Sequence, residues 1–405
     1  MKLFYPLLFC ICSCFLLNGQ DPFFSQFYNS KVYLNPAYVG LEAGTTVELS
    51  YRDQWFGLPD GDISALPQSF RTMAASVNFQ FPCLWQLKGL NVGLGLTAIR
   101  DEAGNSPLTT NGFGLANSYE VQLGNGYSNR RDRKGRQLFR RVDLRFGFQA
   151  SILNKRLRGD YFLYSSQLDP VLGIISDPTS LDLSSPHFLN LNVGVMLRGY
   201  FRRTKAKENL YTIGVSLSNI TEPNESLRGL TDGFSLPRRI TVHGGFSFPV
   251  IRYVGKQNGV DIAPQVRWDF QADGQLDLLT VGAYTLSRGY YFGFFYQGNT
   301  MTYKSDNPNN FLSGNFLSKN TSTLIISTGV DLRTVFDFHR KYHSQRYGLV
   351  LGLSYDMNLN GLTQQNTFGV IELQVRMSFG ADRSSNCDVR PGKFELYDGS
   401  CPVKF

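Results

Sequence analysis

The sequence predicts an all-β chain folded as a single transmembrane antiparallel β-barrel of about 14 strands, with an ordered N-terminal periplasmic segment and a short C-terminal tail. Apolar and polar residues alternate with period two over runs of about ten residues, the length a tilted strand needs to cross a bilayer. No apolar run of about 18 residues follows the first apolar stretch, which excludes membrane helices. The 405 residues also include 32 Phe, 21 Tyr and 40 Gly against 3 Trp, suiting aromatic girdles and a crowded barrel interior. A soluble sandwich or propeller is the competing all-β class, and the length of the alternating runs argues against it.

Residues 1–19 read as a signal peptide: Met1-Lys2, an apolar run from Leu3 to Leu17, and the small Gly19 before cleavage at Gln20. Ile11-Cys12-Ser13-Cys14 keeps lipoprotein processing open as the alternative, and either route exports the chain. Cys83, Cys387 and Cys401 remain after cleavage. Cys387 and Cys401 are candidates for a loop-closing disulfide in an oxidising compartment, whereas the lack of paired CxxC spacing gives little sign of a metal site.

Residues 20–43 read as a periplasmic clasp or plug. The stretch QDPFFSQFYNSKVYLNPAYVG is too aromatic to dangle in water, while Pro22 and Pro36 rule out a regular hydrogen-bond ladder. Stacked against the barrel wall or its mouth, each large ring contributes ~1.5–3 kcal/mol. Phe24, Phe27, Tyr33, Asn35 and Pro36 are its candidate anchors; Asn35-Pro36 imposes an extended turn and Gly40 gives freedom before the first strand.

Residues 44–380 carry the barrel. Val47, Leu49 and Tyr51 alternate with Glu48, Ser50 and Arg52, and Val142 to Ile152 repeat the pattern. Strands are expected near residues 44–53, 70–81, 89–101, 108–123, 141–156, 187–200, 208–219, 238–249, 260–271, 275–286, 289–299, 321–333, 346–358 and 367–380. Residues 381–405 form a periplasmic tail.

If the strands run alternately up and down, the connections sort by charge. Turns on the side of the termini carry Arg130, Arg131, Arg133, Lys134, Arg136, Arg202, Arg203, Arg340 and Lys341. The opposite loops carry Asp60, Asp169 and Asp177, with Trp55 as an aromatic anchor for an extracellular partner. The net charge of +8 therefore hides an expected basic rim and an expected acidic one. The basic rim reads either as a docking surface for acidic periplasmic proteins or anionic headgroups, or as plainly solvated turns. Trp55 is equally well read as part of an interfacial belt.

Nothing points to an enzyme or to a cofactor. His339 and His343 fall in a turn with no acid between them, and His187 and His243 lack a Gly-x-Ser-x-Gly partner. Strand parity points Arg52, Arg145, Asp143, Arg267, Asp269 and Asp331 inward, where an ion-paired network would close a pore. Nucleic acid is not an expected partner of an exported barrel.

Gln20-Asp21-Pro22, Phe24-Ser25-Gln26-Phe27, Tyr33-Leu34-Asn35-Pro36-Ala37 and Gly40, followed by Tyr51-Arg52 and Gln54-Trp55, resemble the opening signature of the PorP/SprF family. Cys401-Pro402 adds to the resemblance. It implies an outer-membrane barrel of a Gram-negative, Bacteroidota-like bacterium, associated with type IX secretion and gliding motility. Such a barrel would bind and anchor, or help export, a large surface adhesin through the adhesin's C-terminal domain. Type IX secretion components, other periplasmic envelope proteins and outer-membrane lipid are the further implied partners. The long basic connection between residues 124 and 141 and the tail from Ala381 to Phe405 depart from the shortest family pattern. The alternative function is a passive porin for small solutes, gated by the N-terminal segment.

Overall fold

The computed structural model of the chain describes residues 23–42, 44–55, 69–81, 90–103, 108–123, 139–158, 168–169, 173–174, 182–204, 207–227, 235–251, 259–271, 276–287, 289–299, 322–332, 347–359 and 368–379. Among these residues, fourteen long strands form the wall. They are β1 (Thr45–Gln54), β2 (Phe70–Phe81), β3 (Leu90–Ala103), β4 (Leu108–Gln122), β5 (Phe139–Arg158), β6 (Phe188–Thr204) and β7 (Lys207–Ser218), then β8 (Arg239–Ile251), β9 (Val260–Gln271), β10 (Leu276–Ser287), β11 (Tyr290–Gly298), β12 (Ser322–Asp331), β13 (Tyr347–Asn358) and β14 (Val370–Phe379). Each pairs antiparallel with its sequence neighbours. The wall closes where β1 pairs with β14, in register from Thr45↔Phe379 to Gln54↔Val370.

Each strand expected from the alternation is present, with ends that shift by a few residues. The largest shift is informative: β5 and β6 continue pairing as far as Phe139↔Phe201, so Arg140, Arg141, Arg202 and Arg203 belong to strands rather than turns. At its other end β5 again outlasts the wall, and Asp182–Ser184 pairs with Arg156–Arg158. Together with the small hairpin of Leu168–Asp169 and Gly173–Ile174, this gives strand structure to a stretch that reads as loop in the sequence.

The two faces of the wall have opposite chemistry. Leu49, Leu94, Leu96, Phe113, Leu115, Ile152, Ile213 and Phe294 are exposed on the outside, whereas Glu48, Ser50, Arg52, Ser118 and Glu120 are buried on the inside. A sheet that exposes its apolar face is stable only in hydrocarbon, and closure satisfies every edge that lipid could not. No helix of the described residues is long and apolar enough to cross a membrane, so the crossings are made by strands.

Antiparallel pairing places Thr45 and Phe379 at one end. That end also receives the short connections 205–206 and 288–289, while the long ones, 159–187 and 299–321, leave from the other. Short periplasmic turns and long outer loops orient the barrel with the start of β1 and the end of β14 inward.

Candidate functional site

The interior is occupied by the chain's own leader. Phe24, Phe27, Tyr28, Val32, Leu34, Ala37, Tyr38 and Val39 are all buried, and so are the polar Gln26, Asn29, Ser30, Lys31 and Asn35. These residues lie within the lumen rather than around its mouth. Local sequence explains the path. Lys31–Leu34 makes one helical turn, α1. Asn35 is then extended (φ −158°, ψ 123°), as a residue before proline prefers, and its side chain accepts from the Ala37 N–H at 2.9 Å. Pro36–Tyr38 forms a single 3-10 turn, and Gly40, at φ +60°, redirects the chain toward β1.

Close approach requires the wall to lack side chains at chosen points. A Cβ on Gly147 would collide with the backbone of Pro36 and Ala37, one on Gly93 with the Val39 carbonyl, and one on Gly194 with the Asn35 side chain. These inward glycines of β5, β3 and β6 form the cradle for residues 35–39.

Toward the outer end, the leader is held by charge. Glu372 accepts from the main-chain N–H groups of Ser25 (2.7 Å) and Gln26 (2.9 Å). Asp356 accepts from the Ser25 hydroxyl. The Arg52 guanidinium lies 3.3 Å from both carboxylates and donates to Ser25 Oγ at 2.5 Å. The Phe23 ring lies 4.7 Å from the Arg52 guanidinium and 5.7 Å from that of Arg267, which comes from the far side of the barrel. Arg267 pairs with Asp269 at 2.6 Å and donates to the Phe24 carbonyl at 3.2 Å.

Toward the periplasmic end, Arg145 pairs with Glu120 and donates to the carbonyls of Ala37 (2.8 Å) and Val39 (2.7 Å). Lys31 lies 3.3 Å from Glu42, which also pairs with Arg376. Burial lowers the Lys31 ammonium to about 8. Burial alone would raise the Glu42 carboxyl, but Arg376 and Lys31 outweigh it and hold that group at about 2.

Between these layers the contacts are aromatic and amide. Tyr28 stacks on Phe295 at 5.3 Å, tilts against Tyr284 at 5.2 Å and donates to Ser327 at 2.7 Å. Asn35 Nδ2 lies 3.2 Å from the Val195 and Val215 carbonyls and 3.0 Å from His243. Tyr33 donates to the carbonyls of Ala75 and Ala98. With the bonds of Ser30 to Ser50 and of Ser118 to Val39, residues 23–42 touch all fourteen strands. A chamber of about 10 Å³ beside Asn29, Glu48, Ser50, Gln374 and Arg376 has room for roughly one water.

The sequence-predicted residues separate cleanly. Phe24, Phe27, Tyr33, Asn35 and Pro36 come together in the lumen, as do the inward Arg52, Arg145, Asp143, Arg267, Asp269 and Asp331. His243 is buried at Asn35 while His187 is exposed, so the two histidines do not meet at a shared site. Trp55 sits at the outer end of β1 with φ 63°, donates its N–H to the Gly369 carbonyl at 2.8 Å and packs edge-on against Phe70 at 5.1 Å. Asp169 lies in the small outer hairpin. Asp60, Asp177, Arg130, Arg131, Arg133, Lys134, Arg136, Arg340, Lys341, Cys387 and Cys401 lie outside the described residues.

Among the described residues, Asp53 pairs with Arg71 (3.5 Å), Glu102 with Arg100 (2.5 Å), Glu225 with Lys155 (2.5 Å) and Glu222 with Arg238 (3.0 Å), so these four outer acids are each matched by a base at the same end. Glu120, Asp356, Glu372, Gln374 and Arg376 are the lumen partners that the sequence reading did not single out. Their parity was the available signal: Glu372, Gln374 and Arg376 alternate with Ile371, Leu373 and Val375.

A closed barrel with a lipid-facing apolar exterior and a polar lumen filled by its own leader is an outer-membrane β-barrel of the plugged kind. The chain belongs to the family described as Type IX secretion system membrane protein PorP/SprF, which it matches over residues 16–377. No curated protein matches its sequence. Among solved structures it is similar to a Pseudomonas aeruginosa FadL homologue, at 9% identity over 87% of this chain and 94% of that one, with a TM-score of 0.39. It is also similar to the translocator domain of the autotransporter NalP from Neisseria meningitidis (9% identity, 84% of this chain, 89% of that one, TM-score 0.36). BamA from Haemophilus ducreyi lacking POTRA domains 1-3 gives 8% identity over 83% of this chain and 70% of that one, with a TM-score of 0.35.

Proposed function

We propose that this barrel is a non-enzymatic binding component of type IX secretion that anchors, or helps export, a large cell-surface adhesin by holding the adhesin's C-terminal domain. The observation that carries the reading is the filled lumen: among the described residues a leader touching all fourteen strands occupies the place of a solute path, which favours a barrel that binds over one that conducts. Contact with the cargo falls to the outer connections around Trp55 and Asp169, whose polar, turn-rich sequences suit adaptable recognition. The basic turns from Arg130 to Arg136 would face acidic envelope proteins or anionic headgroups on the periplasmic side.

Co-purification of the full-length barrel with the adhesin C-terminal domain tests the reading. Capture is expected, together with loss of capture in a Trp55→Ala, Asp169→Lys variant that still migrates as a compact, heat-modifiable barrel. Failure of the intact protein to retain that domain under conditions that preserve the envelope complex would sink the proposal. Reversing Arg130, Arg131, Arg133 and Arg136 to Glu should separately weaken association with envelope partners; unchanged association would leave those turns as merely solvated.

A further inference from the structure

Thirteen of the fourteen junctions in the wall join strands that are consecutive in the chain, and a turn of limited length restricts their register. The junction of β1 with β14 has no such help: its residues lie more than 300 positions apart, as the separation of Arg52 from Glu372 shows. Something other than a turn must align these two edges, and the leader lies against both of them. It is covalently continuous with β1. On β14, three successive inward side chains bind it at three separate places: Glu372 at the Ser25 and Gln26 amides, Gln374 at Ser30 Oγ (2.7 Å), and Arg376 at Glu42.

We infer that residues 25–42 are an assembly clamp that selects the register in which the first and last strands close the barrel. The three inward groups of β14 are not interchangeable. Sliding β14 by two residues keeps its polar face inward, so burial alone would not reject the error. In one direction, however, it would bring the Gln374 amide to the place where Glu372 accepts two N–H groups and put Ser378 in place of the guanidinium opposite Glu42; in the other it would put Val370 at the first place and Gln374 at the second. Each slip leaves buried charge or buried donors unmatched, which is how a polar contact discriminates where an apolar one cannot. Elsewhere the leader often reads features that any register presents. Tyr33 and Asn35 bond to main-chain carbonyls of Ala75, Ala98, Val195 and Val215.

The test uses full-length protein refolded into lipid vesicles, with cysteine pairs on the lipid face in an otherwise cysteine-free chain. Val47→Cys with Met377→Cys reports the native register, and Leu49→Cys with Met377→Cys reports a two-residue slip. Gln26→Ala, Ser30→Ala and Glu42→Gln combined remove the leader's side-chain contacts to β14 (the Gln26 bond to the Glu372 carbonyl, the Ser30 bond to Gln374 and the carboxylate at Arg376) while the Ser25 and Gln26 amides stay on Glu372; Tyr33→Phe removes contacts to β2 and β3 and is the control. The combined variant should close at least ten-fold more slowly, read as the compact gel band, and should raise the slipped cross-link several-fold, while the control keeps the parental ratio of slipped to native cross-link. Native cross-links at the parental rate in the combined variant would overturn the inference, as would an equal rise of the slipped cross-link in the control. If the combined variant yields no compact band, Ser30→Ala alone decides, because it removes the bond to Gln374 without stranding a charge: a raised slipped cross-link supports the clamp, and the parental pattern overturns it.

Discussion

On β4, Leu115 and Glu120 belong to one strand but to different solvents. Leu115 points outward with 67% of its surface exposed, while Glu120 is sealed inside against Arg145. The same division runs around the whole wall. Its lesson concerns what each face packs against. Outside is a fluid hydrocarbon that adapts to any apolar shape; inside is one particular segment of chain, fitted to glycines and paired charges. The lumen face should therefore resist changes of size and of polarity, and the lipid face should resist only charge.

The largest effect is expected from Arg145→Met, which strands Glu120 without a partner and leaves the Ala37 and Val39 carbonyls without their donor. Breaking such a buried pair costs about 3–5 kcal/mol, read as a lowered urea midpoint in vesicles. On the opposite face, Leu115→Arg should cost about 2–4 kcal/mol at the bilayer midplane by the same measurement. Next comes Gly147→Leu, whose side chain has only the leader backbone to displace; overpacking of about 1–3 kcal/mol should show as protease cleavage within residues 23–42 of an otherwise compact barrel. Tyr33→Phe removes a hydroxyl bonded to two carbonyls and should cost about 1 kcal/mol. Smallest of all is Leu115→Phe, expected within about 0.5 kcal/mol of the parent because lipid yields to the larger ring. A Leu115→Phe penalty as large as that of Gly147→Leu would erase the contrast between the faces.

The wall was legible because each strand repeats one instruction many times. Along β1, Val47, Leu49 and Tyr51 oppose Glu48, Ser50 and Arg52, and a misread residue changes little. The leader offers no such redundancy: its short helical turns carry no periodicity, and its partners lie up to 348 residues away, as Gln26 lies from Gln374. Aromatic content and two prolines could announce an ordered clasp or plug, but not which of the two. The lumen charges were half legible. Arg52 and Arg145 stood out by parity, whereas Asp356 and Glu372 gain meaning only once β13 and β14 are folded beside β1. The bases that meet four outer acids were harder to see, since Arg71, Lys155 and Arg238 reach their partners across strands or connections, and only Arg100 lies beside its own, Glu102.

Conductance of the purified full-length protein in a planar bilayer bears most directly on the claim that the leader seals this barrel. The filled lumen predicts a bilayer that stays electrically silent at moderate voltage. A large, steady, ion-permeable conductance from the intact chain would contradict it and return the barrel to the porins.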